Sequence, residues 1–259
     1  MILFQQDWAR EGGSVHANTE NKSFLRIAMV LKRMGIVNWA FPLAIIQKDL
    51  EKYDPHNLTD TSLELRMRIA AECKLNPWYF FREVCRVPAS GSNSAIPFKA
   101  NRANIAMIWA FFNHIHYIAI QPRQTGKTFA ACAIITYIMY IGGSNIEIQL
   151  YTKDADLIQA NVARVKAMRD ALPDYMVHQQ IRDTDNKEGL GYLKLGNKYR
   201  TAVAQKDKQG ADNLGRGMTS PFVHGDEPGF CTNIDITYPV MMLSTLAAVQ
   251  NAKAAGQPH

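Results

Sequence analysis

Two short runs of residues carry most of the chemistry available to this 259-residue chain. The first is Arg123-Gln124-Thr125-Gly126-Lys127-Thr128. Each type has a task at a phosphate: glycine permits close backbone approach, and amides at a helix start face the oxygens. Lysine then neutralises β/γ charge, and a threonine hydroxyl ligates Mg²⁺. A Gly-Lys-Thr tripeptide is frequent by chance, so position gives it weight. Residues 116–120 are expected to form a short buried strand running into the loop, and a helix is expected over residues 127–140. Gln121 stands where the full G-x-x-x-x-G-K-[ST] pattern has its first glycine. The plain alternative is an ordinary strand-to-helix turn with a solvated lysine.

The second run is Asp226-Glu227, after Phe222-Val223-His224-Gly225. Nucleotide hydrolysis needs an acid that holds Mg²⁺ and a second group that orients or deprotonates the attacking water. Asp226 suits the first task and Glu227 the second. An expected strand over residues 221–225 puts the pair at the strand end, the edge at which parallel α/β sheets place ligands. His224 and Gly225 interrupt its aliphatic character, and an acidic pair in a loop is ordinarily solvated surface. Together the two runs predict an ATP- and Mg²⁺-dependent hydrolysis site.

The elements that position these runs follow from pattern. Helices are expected over residues 24–34, over 59–73 with a cap at Asp60 or Thr61, and over an aromatic segment, 78–85, opened by Asn76-Pro77. Turn formers at residues 88–94 link this lead-in to the main domain. A helix over 101–113, a strand over 146–151 and an amphipathic helix over 154–172 follow. Residues 191–195 and 199–204 read as a hairpin across Gly196-Asn197. Strand, loop, helix, strand, helix is the beginning of a parallel α/β fold.

With 47% hydrophobic and 20% charged residues, the chain can bury one substantial core and carry a smaller appended region. Its longest apolar runs fall short of the roughly 20 residues that span a bilayer. The amino terminus lacks the features of a secretory signal, so the expected location is the cytoplasm, with no membrane partner. Cys73, Cys85, Cys132 and Cys231 form no metal or disulfide spacing and are expected as reduced, mostly buried thiols. A net charge of +6 is compatible with a polyanionic partner.

The wording of the first run resembles the deviant phosphate loop of the large terminase subunits of tailed bacteriophages, a family that often lacks the first glycine. The likeness continues through Tyr151-Thr152-Lys153, Ala171-Leu172-Pro173-Asp174-Tyr175, Asn213-Leu214-Gly215-Arg216-Gly217 and Asp226-Glu227-Pro228-Gly229-Phe230. It reaches back to Asn76-Pro77-Trp78-Tyr79-Phe80-Phe81. It implies a P-loop NTPase of the additional-strand, catalytic-glutamate class: a mainly parallel central sheet flanked by helices, with a small helical N-terminal subdomain. It further implies hydrolysis coupled to translocating double-stranded DNA into a procapsid, with portal protein and small terminase subunit as partners in a homo-oligomeric ring. By the same resemblance Arg123 would sense the γ-phosphate, and Arg102 falls near the position of the family's adenine-sensing glutamine. Arg164, Arg169 and Arg216 are the arginines available as a finger between subunits. Lys153, Lys166, Lys187, Lys194, Lys198, Arg200, Lys206 and Lys208 are candidates for DNA phosphate contacts.

On this reading residues 1–60 are a helical N-terminal region of unclear role. Residues 61–259 are expected to be the ATPase domain, stopping before the family's coupling motif, with its nuclease domain absent. Two other readings stay open: a helicase-like P-loop DNA translocase, and a nucleotide- or partner-binding module with little turnover.

Overall fold

Polar side chains fix where the early helices begin and end. The computed structural model describes residues 9–59, 62–89, 94–122, 124–214 and 219–256. The chain divides into two units, Met1–Tyr137 with Arg164–His178, and Ile138–Ala163 with Gln179–His259.

The first unit opens with β1 (Ser14–Val15), α1 (Lys22–Arg33) and β2 (Ala44–Ile45), the two strands pairing antiparallel. Helix α2 (Leu63–Leu75) starts where the Ser62 hydroxyl accepts from the Leu65 amide at 3.3 Å. Asp60 and Thr61, the expected caps, lie outside the described residues, and Ser62 takes the role. Asn76 then caps α3 (Pro77–Tyr79), which runs into a π-helical turn, Phe80–Val84. β3 (Arg86–Pro88) and β4 (Ala95–Pro97) form a short antiparallel pair, followed by α4 (Arg102–Phe112) and α5 (Lys127–Tyr137).

The aromatic run after Asn76 supplies the core of this unit. Trp78, Tyr79, Phe80 and Phe81 are fully buried, and Tyr137 meets Phe80 and Phe112 edge-on at centroid distances of 5.2 and 5.4 Å. Two buried charged groups beside them are paired, as burial requires. The Glu72 carboxylate accepts from the Ile46 and Gln47 amides at 2.9 and 3.0 Å, and Arg82 donates to the carbonyls of Pro42 and Ala44.

The buried strand expected over residues 116–120 does not form. These residues have no strand partner among the described residues, and Ile118 and Ile120 are 81% and 93% exposed. A strand exists only where a neighbour takes up its amides and carbonyls and covers a face, and a run of apolar residues cannot supply that neighbour.

The second unit holds β5 (Glu147–Thr152), the first part of α6 (Ala155–Asp170), β6 (Leu190–Tyr192), β7 (Asn197–Val203), α7 (Lys208–Asn213), β8 (Phe222–Asp226) and α8 (Ile234–Ala254). Its four-stranded sheet has the order β6-β7-β5-β8. β5 runs parallel to both β7 and β8, and only the β6-β7 hairpin is antiparallel, so the fold is mixed α/β with a mostly parallel sheet. Register aligns Thr152 with Val203 on one side and with Asp226 on the other, bringing three strand ends to one edge. On one sheet face Tyr151, Ala202 and Val223 pack with Cys231, Ile234 and Met241. No described helix is long and apolar enough to cross a membrane.

Candidate functional site

The loop before α5 is shaped by the helix that precedes it. Asn101 and Asn104 form a reciprocal capping box at the start of α4. The same two amides reach forward: Asn101 Nδ2 donates to the Thr125 carbonyl at 2.9 Å, and Asn104 Nδ2 to the Gly126 carbonyl at 3.3 Å. In a planar trans peptide the N–H points opposite to the carbonyl. Holding these two carbonyls toward α4 therefore turns the Gly126 and Lys127 amides away from it, side by side, at the first turn of α5. That is the arrangement an anion meets at a helix N-terminus.

The loop's conformation is demanding. Gln124 and Gly126 stand at φ 62° and 79°, both left-handed. A Cβ on Gly126 would come no closer than 3.9 Å to Asn104, so glycine is needed there for its backbone angle and not for space. The Thr125 hydroxyl lies 2.9 Å from Gln121 Oε1 and 3.1 Å from the Pro122 carbonyl. Gln121, at the missing-glycine position, thus props the loop from within. Lys127 and Thr128 are half-buried at the helix start. Arg123 lies outside the described residues.

Asp226 and Glu227 belong to the second unit, at the carboxyl end of β8. Asp226 is 7% exposed, and its Oδ2 accepts from Asn161 Nδ2 of α6 at 2.9 Å. Glu227 is exposed and pairs with Lys153 at the end of β5, Nζ to Oε2 3.1 Å, while that ammonium also sits 5.4 Å from the Phe230 ring centroid. The Glu227 backbone is left-handed at φ 54°. His114, Asn145 and Asn233, the other non-glycine residues described at positive φ, are of types that tolerate this region, whereas Gln and Glu are not. Backbone strain on unsuited residues therefore falls in both runs that the sequence singled out, the pattern seen where function holds a geometry in place.

His224 lies two residues before Asp226 on the same strand. Burial lowers its pKa and Asp226 opposes the shift, which leaves a neutral imidazole beside the carboxylate at neutral pH. Among the described residues no Lys, Arg or His is ion-paired to Asp226.

A hard cation such as Mg²⁺ takes oxygen ligands, commonly one or two carboxylates with waters and substrate phosphates in place of a full protein cage. Asp226 fits that donor set, and the described residues contain no cluster of three or more acidic, His or Cys side chains that would suit a different metal.

Several other residues singled out from the sequence have partners in the structure. Lys153 is tied to Glu227 and Arg200 to Glu147. Arg169 is buried against Asp170, the Arg164 guanidinium lies over Phe129, and Arg216 falls outside the described residues. Arg102 is exposed at the start of α4, where its two asparagine neighbours hold the loop. All four cysteines are buried and none is in a disulfide, and burial raises the Cys73, Cys85 and Cys231 thiols. Asn101, Asn104, Asn161 and the Lys153 pairing were not singled out from sequence for these positions. Only the Asn-x-x-Asn spacing before α4 signals any of them, as a capping box.

No family model matches the chain, and no curated protein matches it either.

Proposed function

We propose that this protein is an ATP hydrolase of the P-loop, catalytic-glutamate kind, and that it serves as the ATPase portion of a terminase-type DNA-packaging motor. The observation that carries the hydrolase reading is the paired tether of the Thr125 and Gly126 carbonyls to Asn101 and Asn104, which presents two consecutive amides at the start of α5. The motor reading rests on the sequence likeness to large terminase subunits. It brings double-stranded DNA, a portal protein and a small terminase subunit as partners of a homo-oligomeric ring.

In this reading the Gly126 and Lys127 amides and the Lys127 ammonium take the β- and γ-phosphate oxygens. Asp226 is the carboxylate assigned to Mg²⁺, which when bound neutralises charge on the nucleotide's phosphates. Glu227 orients a water and takes its proton as the water oxygen bonds to the γ-phosphorus and the bond to the β-bridging oxygen breaks. Lys153 pairs with the Glu227 carboxylate, Nζ to Oε2 3.1 Å, and must release it for that role.

A second reading, a nucleotide-binding module with little turnover, draws on the same ion pair, because a carboxylate held by an ammonium is not yet on a water. Nucleotide titration beside a phosphate-release assay separates the two. For a hydrolase, Lys127→Ala loses both binding and release, while Glu227→Gln keeps binding and loses release by about 100-fold or more. Wild-type binding without release favours the module, and undiminished release by Lys127→Ala removes the phosphate-loop assignment.

A further inference from the structure

We infer that Asn161 is the positioning residue for the metal-binding carboxylate, an inference that rests on the hydrolase reading above. Asn161 lies on α6 with its side chain fully buried. An amide nitrogen has two protons to give. One goes to the Leu157 carbonyl, a turn back on the same helix, at 2.9 Å, and the other to Asp226 Oδ2, also at 2.9 Å. The first bond fixes the rotamer of the asparagine against its own helix. The second then fixes one oxygen of Asp226, and with it the plane of the carboxylate and the direction of the other oxygen.

The chemistry of the partner argues for more than filling space. A buried carboxylate must be paired, and the usual partner in a fold held only by packing is a cation. An amide satisfies the hydrogen bond without cancelling the charge, so Asp226 retains its full attraction for a divalent ion. Neighbouring Glu227 shows the contrast, since Lys153 neutralises it in the ordinary way. Groups that orient a ligating carboxylate from behind govern metal affinity almost as strongly as the ligand does. Helix α6 is well suited to carry such a group. Its start is pinned by Asp154, whose Oδ1 accepts from the Leu157 amide at 2.8 Å, and Thr152 Oγ1 at the end of β5 donates to the Asp154 carbonyl at 2.8 Å. The asparagine is thereby held in register with the strand edge it serves.

The test uses Asn161→Leu, which matches the asparagine in shape but has no donor, and Asn161→Gln, which keeps the donor on a longer stem. The probe is a fluorescent ATP analogue, with its affinity measured in EDTA and across a Mg²⁺ titration, beside thermal melts of each protein. The expected result is unchanged affinity in EDTA for both variants. The Mg²⁺ concentration that half-saturates the metal-dependent gain should rise about tenfold or more in Asn161→Leu, and by less in Asn161→Gln. An unshifted Mg²⁺ midpoint in a folded Asn161→Leu, with wild type responding normally to Mg²⁺, overturns the inference alone. So does loss of fold in both variants, which makes Asn161 a packing residue. Wild-type protein whose nucleotide affinity ignores Mg²⁺ overturns the hydrolase reading and the inference with it.

Discussion

Gly126, Gln124 and Glu227 share a left-handed backbone, and only the first is of a type that adopts it freely. At Gly126 the space for a side chain exists, so Gly126→Ala tests the angle by itself. Holding alanine there should destabilise the fold by roughly 1–2 kcal/mol, read as a lower urea midpoint with an unchanged slope. The protein can relieve that strain by letting the loop relax, which releases the carbonyls held by Asn101 and Asn104. Nucleotide affinity should then fall by more than the stability change alone accounts for. Equal affinity in a destabilised Gly126→Ala protein would show that the loop's shape is not what binds phosphate. Residue types single out this position in the sequence, because glycine before a helix permits close backbone approach. They did not disclose what holds it, since an asparagine on another helix looks like any surface amide in sequence.

Among the elements, asparagine does the joining. Asn197 opens β7, and its Nδ2 lies 3.0 Å from each of the carbonyls of Ile138, Met139 and Gly143 around a π-helical turn, Ile138–Gly142, whose Ile138 carbonyl also accepts from the Gly143 amide at 3.0 Å. Its Oδ1 accepts from the Ile146 amide at 2.9 Å, just before β5. Asn197→Ala would remove these bonds together and should lower stability by about 3 kcal/mol in equilibrium urea denaturation; a change below about 1 kcal/mol would mean that water replaces the amide. The helices α1 to α6 and the strands β5, β7 and β8 were readable within a few residues, because caps, periodicity and a β-hairpin turn are local signals, whereas α7 and α8 were not expected. Residues 116–120 misled for a physical reason: their run of apolar residues is what a buried strand needs, but pairing is supplied from elsewhere in the chain. The tie from Asn161 to Asp226 was invisible for the same reason, since sequence separation hides which side chains meet.

Across the whole molecule, buried histidines set the response to acid. Burial, and then the Arg82 guanidinium, lower the His16 pKa to about 4, with Glu83 opposing. His56 is lowered chiefly by burial as well, with its bond to the Val84 carbonyl opposing. An unfolded histidine titrates near about 6.5, so below that pH the unfolded chain binds protons that the folded chain refuses. Their contribution to stability is complete above the unfolded value and is lost as pH falls from there through about 4. Urea midpoints measured from pH 7 to 4.5 should decline, and His16→Gln should flatten part of that decline. A profile unchanged by His16→Gln would mean that His16 is protonated in the folded protein.

The parallel sheet also dictates an order of assembly. β5 takes its neighbours from far along the chain, Ile148 pairing with Tyr199 on one side and with Phe222 on the other. Such non-local closures are slow, and the second becomes possible only after the polypeptide through residue 226 has left the ribosome. Asp226 and Glu227 are thus absent from every early folding species, and the edge of β5 that awaits β8 is the surface most exposed to wrong pairing while synthesis continues.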